Sequence, residues 1–405
     1  MAITNKCSVC YNDDLQSIIE FGDIPLCDGY SKEIETAKGT PKFNITVVHC
    51  SKCNHAELDL KPPESMIYSN YNYFSSNSPD LDEHFISYAN WINAKLGTAN
   101  AVHLDVGCND GLLLDKSAKL GFSTVGIDPA PAGSIAKEKG HDFYSGYFNT
   151  DIVTENKLEA SADILTCNNI LANVRDLTGY AKAANLILKN DGFFVAETLH
   201  FPTLMKNLVF EMVNHEHYHY FSTRSMMKLY NSAGFELISC ELVPTKGGNM
   251  RCMGRKRNLD GSPFTQSYDS VQVDPKLAET ESNEKAPAFN SAFENAREKL
   301  LTIVKDGDKK VEVAGFGAVA GSIILSYLMG IEDNVDYFVD DNTSRHGFYS
   351  PGIGSQVISP ADYYERKPDV TILLAWRFAK QITDKHRKNM PAHHKFIMAN
   401  TGEEY

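Results

Sequence analysis

The chain has 405 residues, room for two or three domains at about 150 residues each. Hydrophobic residues make up 42% and charged residues 22%, which excludes wholesale disorder. With 39 Lys and Arg against 52 Asp and Glu, the net charge of −13 argues against nonspecific nucleic-acid binding and attraction to anionic membranes. A small anionic ligand held locally by Arg, Lys or a helix N-terminus stays compatible with that balance.

Met1–Lys6 leads straight into a cysteine pair, without the pattern of a signal peptide, and no apolar run approaches the ~18 residues of a membrane span. The odd count of nine cysteines and their spacing favour a reducing cytoplasm. Cys7–Cys10 and Cys50–Cys53 are both C-x2-C knuckles, which present four thiolates to one tetrahedral zinc. Such a site has no open coordination position, so it is expected to fold a module rather than catalyse. Two redox pairs or unrelated buried thiols are the competing readings. Cys27 has no partner at knuckle spacing and reads as an ordinary buried cysteine. A strand is expected over 43–48.

Residues 68–79 are aromatic and polar with turn formers: a surface loop with packed tyrosines, or a loop lining a polar ligand's pocket. A helix follows over 80–96. The apolar segment Ala101–Val106 reads as a buried parallel strand. It runs into Gly107–Cys108–Asn109–Asp110–Gly111, then a helix through Leu120, then a strand over 123–127 ending at Asp128–Pro129. Glycines let a ligand approach the backbone, the helix start offers free N–H groups, and an acid after the second strand accepts from a ribose diol.

The dinucleotide fingerprint G-x-G-x-x-G is not met here. The short G-x-x-x-G form suits S-adenosylmethionine, with its amino-acid end near Gly107, Asn109 and Gly111 and its ribose on Asp128; a nicotinamide enzyme is the runner-up. Asp142–Tyr144 reads as adenine contact, turn or core. A strand over 162–167 brings Asn169 to the carboxyl edge, where ligands bind in such sheets. A helix over 177–188 and a strand over 192–197 follow.

The densest polar cluster is Asn214–His215–Glu216–His217–Tyr218–His219. His217 suits proton transfer near neutrality, with Glu216 orienting it or carrying a proton, against the alternative of a structural histidine cluster. Lys246–Gly247–Gly248–Asn249–Met250–Arg251 is either a hairpin turn or an anion contact through Lys246 and Arg251. Residues 259–287 read as a domain boundary or a wandering connection, followed by a helix over 289–304. A second strand–glycine turn–helix–strand unit runs from Val311 through Gly315–Gly321 to Asp340, with a further strand over 370–374. His393 and His394 are expected on the surface.

In this order, the two knuckles, Tyr71–Asn72–Tyr73–Phe74–Ser75–Ser76, Asp105–Gly111, the His-Glu-His string, Gly247–Arg251 and the Gly315–Ala318 and Leu373–Phe378 segments resemble the three-part sugar C-methyltransferases. The resemblance spans nearly the whole chain. It implies an α/β fold: a class I methyltransferase (Rossmann-like) core over 99–258, an N-terminal zinc-binding module over 1–67, and a C-terminal Rossmann-like, substrate-associated domain over 301–405. Residues 68–98 and 259–300 are the connections.

It also implies C-methylation, alpha to a ketone, of a nucleotide-linked keto-deoxysugar, with no nucleic-acid or membrane partner. O-methylation, or another acceptor, is the alternative. His217 and Glu216 are then catalytic. Gly107, Asn109, Gly111, Asp128, Pro129 and Asn169 hold the methyl donor. Tyr71, Tyr73, Ser75, Asn173, Asn214, Lys246, Asn249 and Arg251 face the substrate, and Cys7, Cys10, Cys50 and Cys53 hold zinc. Four positions depart from the family pattern: Asn173 replaces a histidine, Asn214 a tyrosine, Lys246 a histidine and Asn249 a serine.

Overall fold

The computed structural model describes residues 2–67, 74–77, 79–98, 100–281, 286–305 and 311–405. The substrate candidates Tyr71 and Tyr73 lie outside the described residues.

The N-terminal module is an antiparallel sheet of Leu15–Pro25, Lys42–Cys50 and Ala56–Leu58. Phe43, Ile45 and Val47 alternate inward along the middle strand, as a half-buried strand requires. Its fourth strand, His219–Tyr220, comes from far along the chain and pairs antiparallel with Ala56–Leu58. The polar string read from the sequence is thus joined to this module by a backbone ladder.

The central sheet has eight strands. In spatial order they are Gln272–Val273, Phe235–Val243, Asn249–Lys256, Leu188–Leu199, Ala162–Asn168, Val102–Val106, Ser123–Asp128 and Asp142–Ser145. The last five run parallel, while Asn249–Lys256 is antiparallel to both its neighbours. This is the class I, Rossmann-like methyltransferase arrangement. The order reverses beside Val102–Val106, so its carboxyl end opens a crevice. Asp142–Tyr144 forms an edge strand rather than a turn.

Among its described residues, the stretch 259–287 carries a short strand and a helix. Gln272–Val273 joins the sheet, and the helix Pro275–Glu281 carries Glu281 to the Thr223 hydroxyl at 2.7 Å and to His200 at 3.0 Å. Its polar composition hid two anchoring points too short to leave a periodic signal.

The C-terminal sheet is all parallel, in the order Gln356–Ile358, Tyr337–Val339, Val313–Phe316, Val370–Leu373 and Lys395–Met398. The helix Ala286–Val304 buries Phe289, Phe293, Ala296, Leu300 and Val304 at helical spacing. They join a cluster containing Ile19, Phe210 and Ile323, one from each of the three parts. His394 is not a surface residue: its ring is buried, bonded to the Pro368 carbonyl at 3.1 Å and the Thr371 hydroxyl at 2.9 Å. Its neighbour His393 is exposed, as expected.

Candidate active site

The donor loop is built by backbone geometry. Gly107 and Gly111 have φ of 73° and 79°, and Asn109 has φ of 50°. A Cβ on Gly107 would come within 2.3 Å of the Ile170 side chain, so only glycine fits. Asp128, at the end of its strand, accepts from Asn109 N–H at 2.8 Å and Ala130 N–H at 2.7 Å. Each carboxylate oxygen keeps a further lone pair. Burial raises the Asp128 pKa, an effect that the two N–H bonds counter. Pro129 next to it is exposed.

Asn109 Oδ1 accepts from the Ser75 backbone N–H at 2.9 Å, and Asp110 from Ser76 N–H at 3.1 Å. The segment before the helix Pro79–Leu96 is thereby tied to the donor loop. Along the carboxyl edge, the Asp110 Oδ1, Asn168 Oδ1 and Asn173 Oδ1 atoms are buried without a hydrogen-bond partner among the described residues. Buried acceptors of this kind call for donors. The ammonium and hydroxyl groups of S-adenosylmethionine supply that chemistry, so Asp110 and Asn168 fit the methyl donor.

Asn169, in the left-handed region at φ 58°, accepts from Asn249 Nδ2 at 2.8 Å. Leu199, Ala172, Val209 and Met212 pack together, which brings the loop before His217 to the same edge. The His217 ring lies with Nδ1 2.9 Å from the Met212 carbonyl. A carbonyl only accepts, so Nδ1 carries the proton and Nε2 is left as the basic lone pair. Burial, helped by Lys246, lowers the His217 pKa to about 4. The imidazole is therefore neutral at pH 7.

Asn214 Oδ1 accepts from Glu216 N–H at 2.9 Å and its Nδ2 donates to the Glu211 carbonyl at 3.0 Å, so Asn214 frames the turn that aims His217. Burial raises the Glu216 pKa, Asp28 adds to this, and Lys246 opposes it. Lys246 sits in a tight turn at φ 51°, followed by Gly247 and Gly248 at 84° and 141°. The C-terminal domain closes the other wall. Trp376 Nε1–H donates to Glu211 at 3.3 Å, and Arg377 lies 3.6 Å from the same carboxylate.

Arg251 is committed inside the protein. Its Nε–H donates to Glu197 at 2.6 Å, and its guanidinium lies 3.9 Å from the Tyr88 ring centroid and 4.9 Å from that of Trp91. His84 meets the other oxygen of Glu197 at 2.8 Å. Sequence reasoning missed this cluster, although Glu197 at a strand end and His84 early in a helix were both visible. It also missed Asp105, which accepts from the Thr166 hydroxyl at 2.6 Å and is pushed by burial up to about 7. An acid inside an apolar strand is the signal that could have found it.

At the far end of the N-terminal sheet, Cys7 and Cys53 Sγ lie 3.6 Å apart and Cys10 and Cys50 Sγ 3.5 Å. All four sulfurs lie within 4.8 Å of one another. Sulfurs about 2.3 Å from one tetrahedral zinc stand roughly 3.8 Å apart, so the set fits that metal. Cys27 is buried and apart, as expected.

Residues 85–240 match the family model described as a methyltransferase domain. The chain is an S-adenosylmethionine-dependent methyltransferase. Residues 244–400 of this methyltransferase match the model described as a C-methyltransferase C-terminal domain. The C-methyltransferase NovU of Streptomyces niveus is 24% identical, over 97% of this chain and 95% of that protein. A ubiquinone biosynthesis O-methyltransferase of Pseudomonas paraeruginosa is 31% identical over 27% of this chain and 49% of that protein. Among solved structures, the Burkholderia thailandensis 1,6-didemethyltoxoflavin-N1-methyltransferase is similar at 20% identity and a TM-score of 0.38, covering 52% of this chain and 99% of that one. Among the described residues, no helix is long and apolar enough to cross a membrane.

Proposed function

We propose that this methyltransferase alkylates carbon: it methylates a nucleotide-linked keto-deoxysugar next to the ketone, through an enolate. The observation that carries the reading is the His217 ring, with its proton fixed on Nδ1 by Met212 and its basic lone pair on Nε2. The bound donor supplies an electrophilic methyl group on a sulfonium. The chain's own work is to remove a proton from the acceptor carbon and hold the resulting charge.

An unactivated C–H is too weak an acid for imidazole, whereas a neighbouring carbonyl spreads the charge onto oxygen. An imidazolium with a lowered pKa is itself a strong acid, so the enolate needs donors. Lys246 and Asn214 are assigned that role, with Glu216 beside them as the partner that accepts from the sugar. Asn173 and Asn249, whose side-chain oxygens are buried without partners among the described residues, are assigned to acceptor hydroxyl or amino groups. Ser75 joins them through its seat on the donor loop.

The carboxyl edge of the C-terminal parallel sheet supports a nucleotide-linked acceptor. Asp340 accepts from Ala318 N–H at 2.6 Å and Asn342 N–H at 2.8 Å, the arrangement Asp128 makes in the central domain. Gly317 has φ of 106°, and the Ser322 hydroxyl, buried without a partner among the described residues, stands beside it. We assign this edge of the C-terminal sheet to the nucleotide, the four cysteines to one structural zinc, and the enzyme to the cytoplasm, where cysteines outside disulfides persist.

The test is a panel of nucleotide keto-sugars incubated with labelled methyl donor, followed by product NMR. Wild type should also exchange the alpha hydrogen in heavy water without a competent donor, and His217→Asn should not. Turnover should fall about 10²–10⁴-fold in that variant while donor binding persists. A product methylated on oxygen, or undiminished turnover in His217→Asn, overturns this chemistry.

A further inference from the structure

The residues that bracket His217 are anchored on the N-terminal module. His215 Nε2–H donates to the Phe43 carbonyl at 3.0 Å. Leu58 N–H donates to the Tyr218 carbonyl at 2.9 Å, and the Tyr218 hydroxyl donates to the Pro62 carbonyl at 2.8 Å. His219 and Tyr220 then pair in register with Glu57 and Ala56.

Glu57 is the hinge of this arrangement. Its carboxylate is 1% exposed and accepts from Ser8 N–H at 2.8 Å and from the Ser8 hydroxyl, with the Lys61 ammonium at 2.6 Å. Ser8 stands between Cys7 and Cys10, inside the first knuckle. On the other side, His219 Nδ1 lies 3.8 Å from Glu57 and 3.1 Å from His55 Nε2. One buried carboxylate thus links the turn between two metal-binding thiols to the strand that leaves the candidate base.

We propose that Glu57 is a positioning residue for His217, so that the cysteine module seats the proton-transfer loop as well as folding the N-terminal sheet. A displacement of about 1 Å at a reacting group costs on the order of 10²-fold in rate, so a small shift of residues 214–217 suffices. Four thiols without a central ion lose the constraint on the Cys7–Cys10 turn, and with it the orientation of the Ser8 donors. A buried carboxylate left with Lys61 as its remaining side-chain donor must then shift to recover the lost bonds. The proposal rests on the reading of His217 as the base, and its structural half is measured independently of turnover.

The experiment uses the full-length, zinc-loaded enzyme and its Glu57→Gln and Ser8→Ala variants. The readouts are metal content, S-adenosylmethionine binding by calorimetry, hydrogen exchange of peptides covering residues 214–220, and the kcat and KM of a keto-sugar substrate. In Glu57→Gln, metal content should stay at one zinc per chain and donor affinity within about twofold. Exchange at 214–220 should accelerate by about tenfold as local protection falls. Turnover should drop by about 10–100-fold, the usual effect of removing an outer-shell partner, with kcat falling more than KM. Ser8→Ala should move the same quantities in the same direction by less, because its backbone N–H stays in place.

Unchanged exchange at 214–220 in both variants would overturn the proposal. So would a parallel loss of donor affinity and of protection throughout the chain, which marks general unfolding. Full turnover in His217→Asn, with exchange at 214–220 still governed by Glu57, would remove the reading of His217 as the base and keep the seating of its loop.

Discussion

Arg251 and Glu197 form an ion pair that is buried on both sides, with side-chain exposures of 9% and 1%. The pair links two adjacent antiparallel strands, since Glu197 stands directly opposite Arg251 in the ladder. Removing the cation leaves a buried carboxylate with His84 as its remaining side-chain partner and no fixed charge opposite it. Arg251→Met should therefore lower stability by about 3–5 kcal/mol, measured by denaturant unfolding. A variant that keeps full stability and shows only a raised KM would return Arg251 to the role of a phosphate contact.

The four-cysteine set predicts one zinc per chain by metal analysis. Cys50→Ser should lower metal content and unfolding midpoint together, because structural zinc binding is folding free energy. Prolonged chelation should have the same effect on wild type. Full zinc retention in Cys50→Ser would take Cys50 out of the site.

Asp128 offers two carboxylate oxygens, each already fixed by one backbone N–H. A fixed carboxylate is a better acceptor for a ribose diol than a mobile one. Asp128→Ala should weaken binding of S-adenosylmethionine and of its demethylated product by about 1.5–3 kcal/mol in calorimetry. Equal affinity in the variant would move the ribose elsewhere.

Acid should destabilise the fold before it protonates most carboxylates. Burial, the largest cause in each case, lowers His215 and His217 to about 4 and His103 to about 3, against 6.5 when unfolded. Between those limits the unfolded chain binds more protons, so stability falls as pH drops from 6.5 toward 4 and these contributions level off below the native values. Each group contributes up to about 1.4 kcal/mol per pH unit in that window. Asp105, pushed up to about 7, acts in the opposite sense: its native form binds more protons between 3.8 and 7, so it favours the fold as pH falls. His55 and His219, also lowered by burial, join these three, while burial raises Asp128, Glu211 and Glu216 in the same sense as Asp105; five histidines against four carboxyls leave a net loss on acidification. Urea midpoints measured at pH 7, 6 and 5 should decline in that order. A flat profile would mean that these rings are hydrated.

The same His217 pKa bears on turnover. If it is the base, kcat/KM should hold its value from pH 7 down to about 5, because the free enzyme's imidazole stays unprotonated there. An acid limb centred near 6.5 would point to an exposed histidine instead.

Much of the fold was legible because its signals are local. Ala101–Val106 is an apolar run bounded by Gly107, and the two knuckles have fixed spacing. Both fall where expected. His394 was misplaced because a histidine pair near the end of a chain reads as polar, while its burial depends on Tyr363 and Thr371, 31 and 23 residues away. The Arg251–Glu197–His84 cluster joins residues 54 and 113 positions apart, a distance at which periodicity carries no information. Within 259–287 composition shows polarity only, and the anchor made by one carboxylate, Glu281 reaching Thr223, leaves no pattern in the sequence. In the candidate site, the residue types were visible, but which ring nitrogen of His217 carries its proton was set by a carbonyl at Met212, invisible in side-chain identity.

The strand His219–Tyr220 belongs to a sheet whose other members end at Leu58. During synthesis at about 5–20 residues per second, the N-terminal sheet waits on the order of 10 s for its last strand. Until then the edge of Ala56–Leu58 is unpaired, and nascent chains shorter than about 220 residues present it to solvent. Its short length limits the exposure. A ribosome-bound chain should therefore gain protease resistance in the cysteine module only after the histidine string has emerged, which makes completion of the first domain an event in the synthesis of the second.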